Sequence, residues 1–177
     1  MPSLIVTLRG PDRPGLVGAV SDVVQMHGGN WLESRMARLA GHFAGIVQID
    51  VNDDHVDQLV TDLRDLSNQG LNVVVELDNA ESSAAESVQV VTLNLIGSDR
   101  PGIVREVTRA LASRTVNVED LHTECVDAPM TGERLFKTIA RLGLPAGVTM
   151  EQVQDDLEQI ALDLMVDITL AKPDSDS

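Results

Sequence analysis

Cysteine occurs once in the 177 residues, tyrosine not at all, phenylalanine twice and tryptophan once. A lone Cys125 cannot close an intrachain disulfide, and it excludes both CxxC chemistry and a multi-cysteine zinc site. No histidine or aspartate stands at a recognisable catalytic spacing from it, so Cys125 reads as a small buried hydrophobe. Basic residues are scarce too: 13 Lys and Arg against 28 Asp and Glu leave a net charge of -15. A chain this acidic and this poor in aromatic stacking platforms repels phosphate backbones, which argues against direct nucleic-acid binding but leaves room for a basic protein partner. No apolar run approaches the roughly 18 residues of a membrane span. The opening MPSLIVTLRG has neither the basic leader nor the small-residue cleavage site of a signal peptide, so the expected location is cytoplasmic.

Catalytic and metal-binding patterns are missing as well. His27, His42, His55 and His122 show no HxxxH or HExxH spacing and read as solvated or satisfied side chains. The acidic pair Asp53-Asp54 falls at an expected helix start, where carboxylates favour the dipole, and Glu119-Asp120 only superficially resembles a catalytic pair. Gly28-Gly29 is too short for a nucleotide fingerprint, and Trp31 reads as packing or interface. No cofactor is expected, nor an enzyme.

What the chain does have is a duplication. Gly10-Pro11-Asp12-Arg13-Pro14-Gly15-Leu16-Val17 returns as Gly97-Ser98-Asp99-Arg100-Pro101-Gly102-Ile103-Val104, an offset of 87 from position 10 to position 97. Leu4, Val6 and Leu8 fall on Val91, Leu93 and Leu95 at the same offset, and Asn30 falls on Asn117. Repetition at this length means two copies of one small domain, expected at residues 1–78 and 88–171, with a small polar linker at 79–87 and a frayed tail at 172–177.

Alternation at Leu4, Val6 and Leu8 predicts a strand ending at Gly10. Leu16, Val17, Val20, Val23 and Val24 then form a helical stripe that Ile103, Val104, Val107, Ala110 and Leu111 reproduce, and the glycines after His27 stop the first helix. Residues 30–39 and 43–51 predict a hairpin through Ala40-Gly41-His42. Asn52, Asp53 and Asp54 offer N-cap chemistry to a second helix carrying Val56, Leu59, Val60, Leu63 and Leu66, and residues 71–77 alternate as a closing strand. In the second copy, Phe43 aligns with Phe136 at an offset of 93, so this hairpin carries six more residues around 127–132, an expected exposed, mobile tip. Thr149 and Gln152 open the last helix, and residues 166–170 close the sheet.

Each half is thus βαββαβ, a ferredoxin-like α+β unit with a four-stranded antiparallel sheet and both helices on one face. Apolar residues out of phase with the helix-facing set, among them Ile5, Val74 and Ile96, predict a partly apolar outer sheet face and pairing between domains or chains.

The repeated turn has the chemistry of a small-anion cradle. Asp12 and Asp99 are expected to cap the following helix through the amides of Gly15 and Gly102, with Pro14 and Pro101 in its first turn. That leaves donors around Gly15, Leu16 and Val17, and around Gly102, Ile103 and Val104, at the positive end of a dipole, where a carboxylate fits. The same sequence is also ordinary helix punctuation. Arg13 and Arg100 stand either solvated or paired with a ligand carboxylate or neighbouring domain, and Asn30 and Asn117 either meet a ligand or shape the turn into the second strand.

GPDRPGLV and GSDRPGIV, each between a hydrophobic strand and an amphipathic helix in a βαββαβ unit, resemble the corresponding segment of ACT domains, the amino-acid-sensing regulatory modules. Two such domains and little else resemble the glycine cleavage system transcriptional repressor family. The resemblance implies a small amino acid, glycine being one candidate, bound at domain interfaces by the turns at residues 10–17 and 97–104 with Asn30 and Asn117. It also implies a homo-oligomer such as a dimer, and a protein partner, either a transcriptional activator or a metabolic enzyme. The alternative it leaves open is an oligomerisation or regulatory subunit that binds no small molecule. Gly28-Gly29-Asn30-Trp31 becomes Thr115-Val116-Asn117-Val118, so the two sites need not be equivalent.

Overall fold

Two runs of alternating apolar residues, β1 (Ser3–Pro11) and β5 (Gln89–Ser98), each form one of the two inner strands of a separate four-stranded sheet. The computed structural model describes residues 1–79 and 87–173, so most of the expected linker, and the tail from residue 174, lie outside the described residues. The chain divides into two compact units, Met1–Ser82 and Ser83–Ser177.

In the first unit the order is β1, α1 (Leu16–Met26), β2 (Asn30–Leu39), β3 (His42–Asp50), α2 (Val56–Asp65) and β4 (Asn72–Leu77). The second repeats it with β5, α3 (Ile103–Ser113), β6 (Asn117–Asp127), β7 (Arg134–Leu144), α4 (Met150–Leu164) and β8 (Val166–Ala171). Sheet orders are β2-β3-β1-β4 and β6-β7-β5-β8, antiparallel throughout. The fold is therefore the doubled α+β ferredoxin-like unit that the periodicity predicts.

Register explains the cores. Leu4 and Val6 pair with Ile49 and Val47, and all four are buried together with Val20 and Val24 of α1 and Leu59 and Leu63 of α2. Val91 and Leu93 occupy the same places in the second unit, buried with Val107, Leu111 and Leu157. Val17 and Val104 depart from the expected stripe: they are 43% and 41% exposed, because the sheet and second helix cover only the face carrying i, i+4, i+7 and i+8. Facing away from the helices, Ile46, Val74 and Ile139 are each more than half exposed and Ile96 is 39% exposed, as the out-of-phase pattern predicts.

Both edge strands β2 and β6 carry a bulge at the same repeat position, between Trp31 and Glu33 and between Val118 and Asp120. Such a kink twists an edge strand and interrupts its ladder. The six-residue extension does form an exposed tip, with Met130 96% exposed, and its base is closed by the Ala128 amide donating to the Glu133 carbonyl at 2.7 Å. Cys125 corrects its expectation. It lies exposed on β6 opposite Phe136, near that tip and on an edge strand with no strand beyond it, rather than in the core.

Helix ends follow local rules in some places and not in others. Thr149 and Gln152 make a reciprocal capping box, the Gln152 amide donating to Thr149 Oγ1 at 3.2 Å and the Thr149 amide to Gln152 Oε1 at 3.1 Å. Asn52 makes no side-chain cap; Asp53–His55 instead forms a 3-10 turn leading into α2. The residue closing α1 and α3 reaches the second helix in both units: His27 Nε2 lies 2.7 Å from Asp62 Oδ2, and Arg114 makes a two-pronged contact with Asp156, one prong at 3.1 Å.

Two predictions follow from these ends. Thr115 holds φ +58 where the first unit has Gly28 at φ +65, a conformation that is costly for a β-branched residue. Thr115→Gly is expected to stabilise the second unit by about 0.5–1 kcal/mol, the relief of strain exceeding the added freedom of the unfolded glycine, and urea midpoints measure it. The Arg114 hydrogen bond holds the Asp156 carboxyl below its usual range. Its contribution is therefore fully present above the unfolded carboxylate value of about 3.9 and is lost as pH falls from there through the lower folded value. Asp156→Asn should lower the urea midpoint at pH 7, by an amount that shrinks as pH falls below about 3.9.

Candidate functional site

The turn after the first strand begins with an enforced close approach. A Cβ on Gly10 would stand 2.6 Å from the Gly70 carbonyl oxygen, and one on Gly97 would stand 2.4 Å from Val166 Cγ1. The strand end is thus pressed against the chain entering the closing strand, and only glycine permits it.

Side chains of the turn hold it from both sides. The Asp12 amide donates to the Gly41 carbonyl at 2.9 Å, at the β2–β3 hairpin, and the Asp99 amide donates to the Arg134 carbonyl at 2.9 Å. Their carboxylates lie 3.6 Å from Arg38 Nη1 and 3.4 Å from Arg134 Nε. On the other side Arg13 donates to the Gln69 carbonyl, and Arg100 donates to the Leu164 carbonyl at 3.3 Å. Arg100 thus satisfies the last carbonyl of α4, and Arg13 that of the 3-10 turn Leu66–Gln69 following α2, where a cation is favoured. Arg13 and Arg100 are both exposed, as the solvated alternative expects, and each also holds one main-chain carbonyl.

The turn corrects the expected caps. Neither Asp12 nor Asp99 caps its helix; Gly15 at φ +89 and Gly102 at φ +96 occupy the N-cap position with no side-chain cap, and Pro14 and Pro101 precede the helix rather than enter it. The local rule fails because the carboxylates are drawn to arginines on the hairpin. The first intrahelical bonds are Ala19 to the Gly15 carbonyl at 2.9 Å and Glu106 to the Gly102 carbonyl at 3.0 Å. Amides at 16–18 and 103–105 therefore precede the helical ladder, and the space above both glycines is open.

An ACT domain model matches residues 3–76 and again residues 89–170. The chain belongs to the ACT domain family. Among solved structures, a protein of unknown function from Galdieria sulphuraria is 29% identical, with a TM-score of 0.85 over 97% of this chain and 98% of that one. A candidate glycine cleavage system transcriptional repressor is 20% identical, with a TM-score of 0.71 over 97% and 98%. No curated protein matches the chain. Membership in the ACT family supports a regulatory, amino-acid-sensing role.

The two ACT units differ along their second strands and at the start of their first helices. Trp31 and Met36 pack against the first core, whereas Val118 and Thr123 take those positions in the second, beside an apolar crevice lined by Leu95, Val104, Thr108, Val118 and Leu121. The first turn of α3 carries Glu106, an acid close to the donors; the first turn of α1 carries none, Ala19 standing in its place. A carboxylate is therefore better received at α1.

Asn30 and Asn117 are not brought to the turns. Asn30 pairs with Asp50, which pairs with Ser3, at the far end of β1 from Pro11; Asn117 pairs with Gly143, which pairs with Val90, far from Ser98. Eight residues of strand separate the two ends, roughly 25 Å at about 3.3 Å per residue.

Other chemistry is sparse. His27 is occupied by Asp62, and His55 Nδ1 lies 3.0 Å from the His27 carbonyl. Among the described residues no three His, Cys, Asp or Glu side chains group as metal ligands, and no helix is long and apolar enough to cross a membrane. The Arg134 guanidinium is held above its ordinary value first by Cys125 and then by Asp99. The roles of Arg38 and Arg134 had no signal in the sequence, since the lengthened hairpin puts them out of the repeat offset.

The close approach makes a direct prediction. Gly97→Ala forces its new methyl group into Val166 and is expected to cost about 1–3 kcal/mol, with Gly10→Ala losing a similar amount against the Gly70 carbonyl. Denaturant titration of each variant measures this.

Proposed function

We propose that the chain is a non-enzymatic amino-acid sensor whose ligand carboxylate is received by the backbone amides at the start of α1, with the start of α3 as a weaker second cradle. The observation that carries this is the state of the first turn: Asp12 and Arg13 are engaged elsewhere, Gly15 leaves open space above it, and no acid stands among the donors. Met36 pairs with Gly45, which pairs with Leu8 two residues before Gly10, and it packs against the core there, so the site suits glycine or another small amino acid.

Asn30 lies roughly 25 Å from the turn of its own unit, by strand length, so a ligand held by both is shared with a second chain in a homo-oligomer. The domain boundaries at 1–78 and 88–171 belong to the same proposal. A partner protein reads the bound state, and likeness over the whole chain to a candidate glycine cleavage repressor suggests a transcriptional activator of that system. The acidic surface favours contact with the activator rather than with DNA. Coupling between the amino-acid site and the partner surface makes the device allosteric.

Isothermal titration against the twenty amino acids tests the reading. Heat is expected with a small amino acid, with Gly15→Val weakening it at least tenfold and Gly102→Val weakening it less. Glu106→Gln is expected to strengthen the second cradle. Absence of heat and of thermal shift with all twenty contradicts the proposal.

A further inference from the structure

At one end of the second unit, three changes from the first add exposed apolar surface. Strand pairing aligns Val73 with Ile168, since they face Leu8 and Leu95, so Ser67 and Gly70 correspond to Leu162 and Met165. Leu162 is 74% exposed and Met165 is 78% exposed. Met165 sits at φ +54, the left-handed conformation that Gly70 adopts at φ +85 and that disfavours a side chain. Thr115 shares this conformation, but its side chain is polar. The third change is the hairpin extension that carries Met130.

Three consecutive residues bring these features to one end of the unit. The Ser98 hydroxyl donates to Glu133 and the Asp99 amide to the Arg134 carbonyl at the base of the extension; Arg100 donates to the Leu164 carbonyl beside Met165. Exposed Asp127, Glu133, Asp163 and Asp167 stand on the same segments. The arginines there are engaged, Arg134 with Asp99 and Arg100 with Leu164.

We infer that Met130, Leu162 and Met165 form a docking surface for a basic amphipathic helix of a partner protein. Methionines give an adaptable apolar contact, and the acidic residues around them select lysine or arginine at the rim of the partner. A second copy of this chain would set acid against acid, and an anionic lipid surface would be repelled. The inference rests on the proposed regulatory reading only in requiring a protein partner; it requires no amino-acid ligand.

The test uses the full chain and a labelled 18-residue leucine-lysine amphipathic peptide, with the leucine-glutamate version as control. Micromolar binding of the lysine peptide is expected in physiological salt, weakened at least tenfold by Met130→Ser, Leu162→Ser and Met165→Gly together, while Met26→Ser in the first unit leaves it unchanged. All three replaced side chains lie in solvent, and circular dichroism checks that the variant is folded. Methyl-labelled methionine spectra supply a second readout on the unaltered chain: Met130 and Met165 should shift, and the exposed Met26 should not. Unchanged affinity in the triple variant, equal shifts at Met26, equal binding of the glutamate peptide or no binding of the lysine peptide would each overturn the inference. Amino-acid titration of the same variant separates the two ideas: heat retained there with peptide binding lost supports both, and heat absent from the unaltered chain overturns sensing alone.

Discussion

The contact on which both units depend is the approach of a strand end to the chain entering the closing strand, at Gly10 against Gly70 and at Gly97 against Val166. Because no side chain fits between them, the segment that follows is delivered beside the carbonyls ending the 3-10 turn after α2 and ending α4, where Arg13 and Arg100 take hold. Asp12 and Asp99 secure the opposite flank to the hairpin. With both charged side chains engaged, the chemistry left to the turn is its backbone: helix-start amides beneath a glycine with open space above it. The cradle we propose there is ready before a ligand arrives, so binding would spend little ordering entropy.

Duplication kept that frame and changed what surrounds it. The tie from the end of the first helix to the second helix persists as His27 with Asp62 in one unit and Arg114 with Asp156 in the other. Trp31 and Met36 give way to Val118 and Thr123, Ala19 to Glu106, and Gly70 to Met165. These exchanges point in one direction. The first unit keeps the donors free of negative charge and a glycine at position 70, whereas the second accepts a left-handed methionine there and adds exposed Leu162 and Met130 at its loop end. In our account sensing is concentrated in the first unit and partner contact in the second.

Local rules read the fold well. Alternation at Leu4, Val6 and Leu8, the spacing of Val20, Val23 and Val24, and the Thr149–Gln152 box each depend on near neighbours, and the structure places them as their periodicity predicts. The site was less legible because its determinants are distant in sequence. Asp12 has the position and chemistry of a helix cap, yet an arginine 26 positions later takes its carboxylate, as residue numbers 12 and 38 show. The partners of Arg13 and Arg100 are main-chain carbonyls, which leave no trace in residue type. Asn30 follows the first helix closely in the chain, but an antiparallel sheet puts it at the opposite end from the turn. Cys125 follows the strand pattern, and only the edge position of β6 exposes it.

The most direct test of the account is a backbone amide NMR titration of the full chain with glycine and the other small amino acids. The account predicts that the largest shifts fall on the amides of Leu16, Val17 and Gly18, followed by those of Ile103 and Val104. Shifts centred instead on the side chains of Arg13 or Arg100, or amide shifts confined to other parts of the sheets, would contradict it.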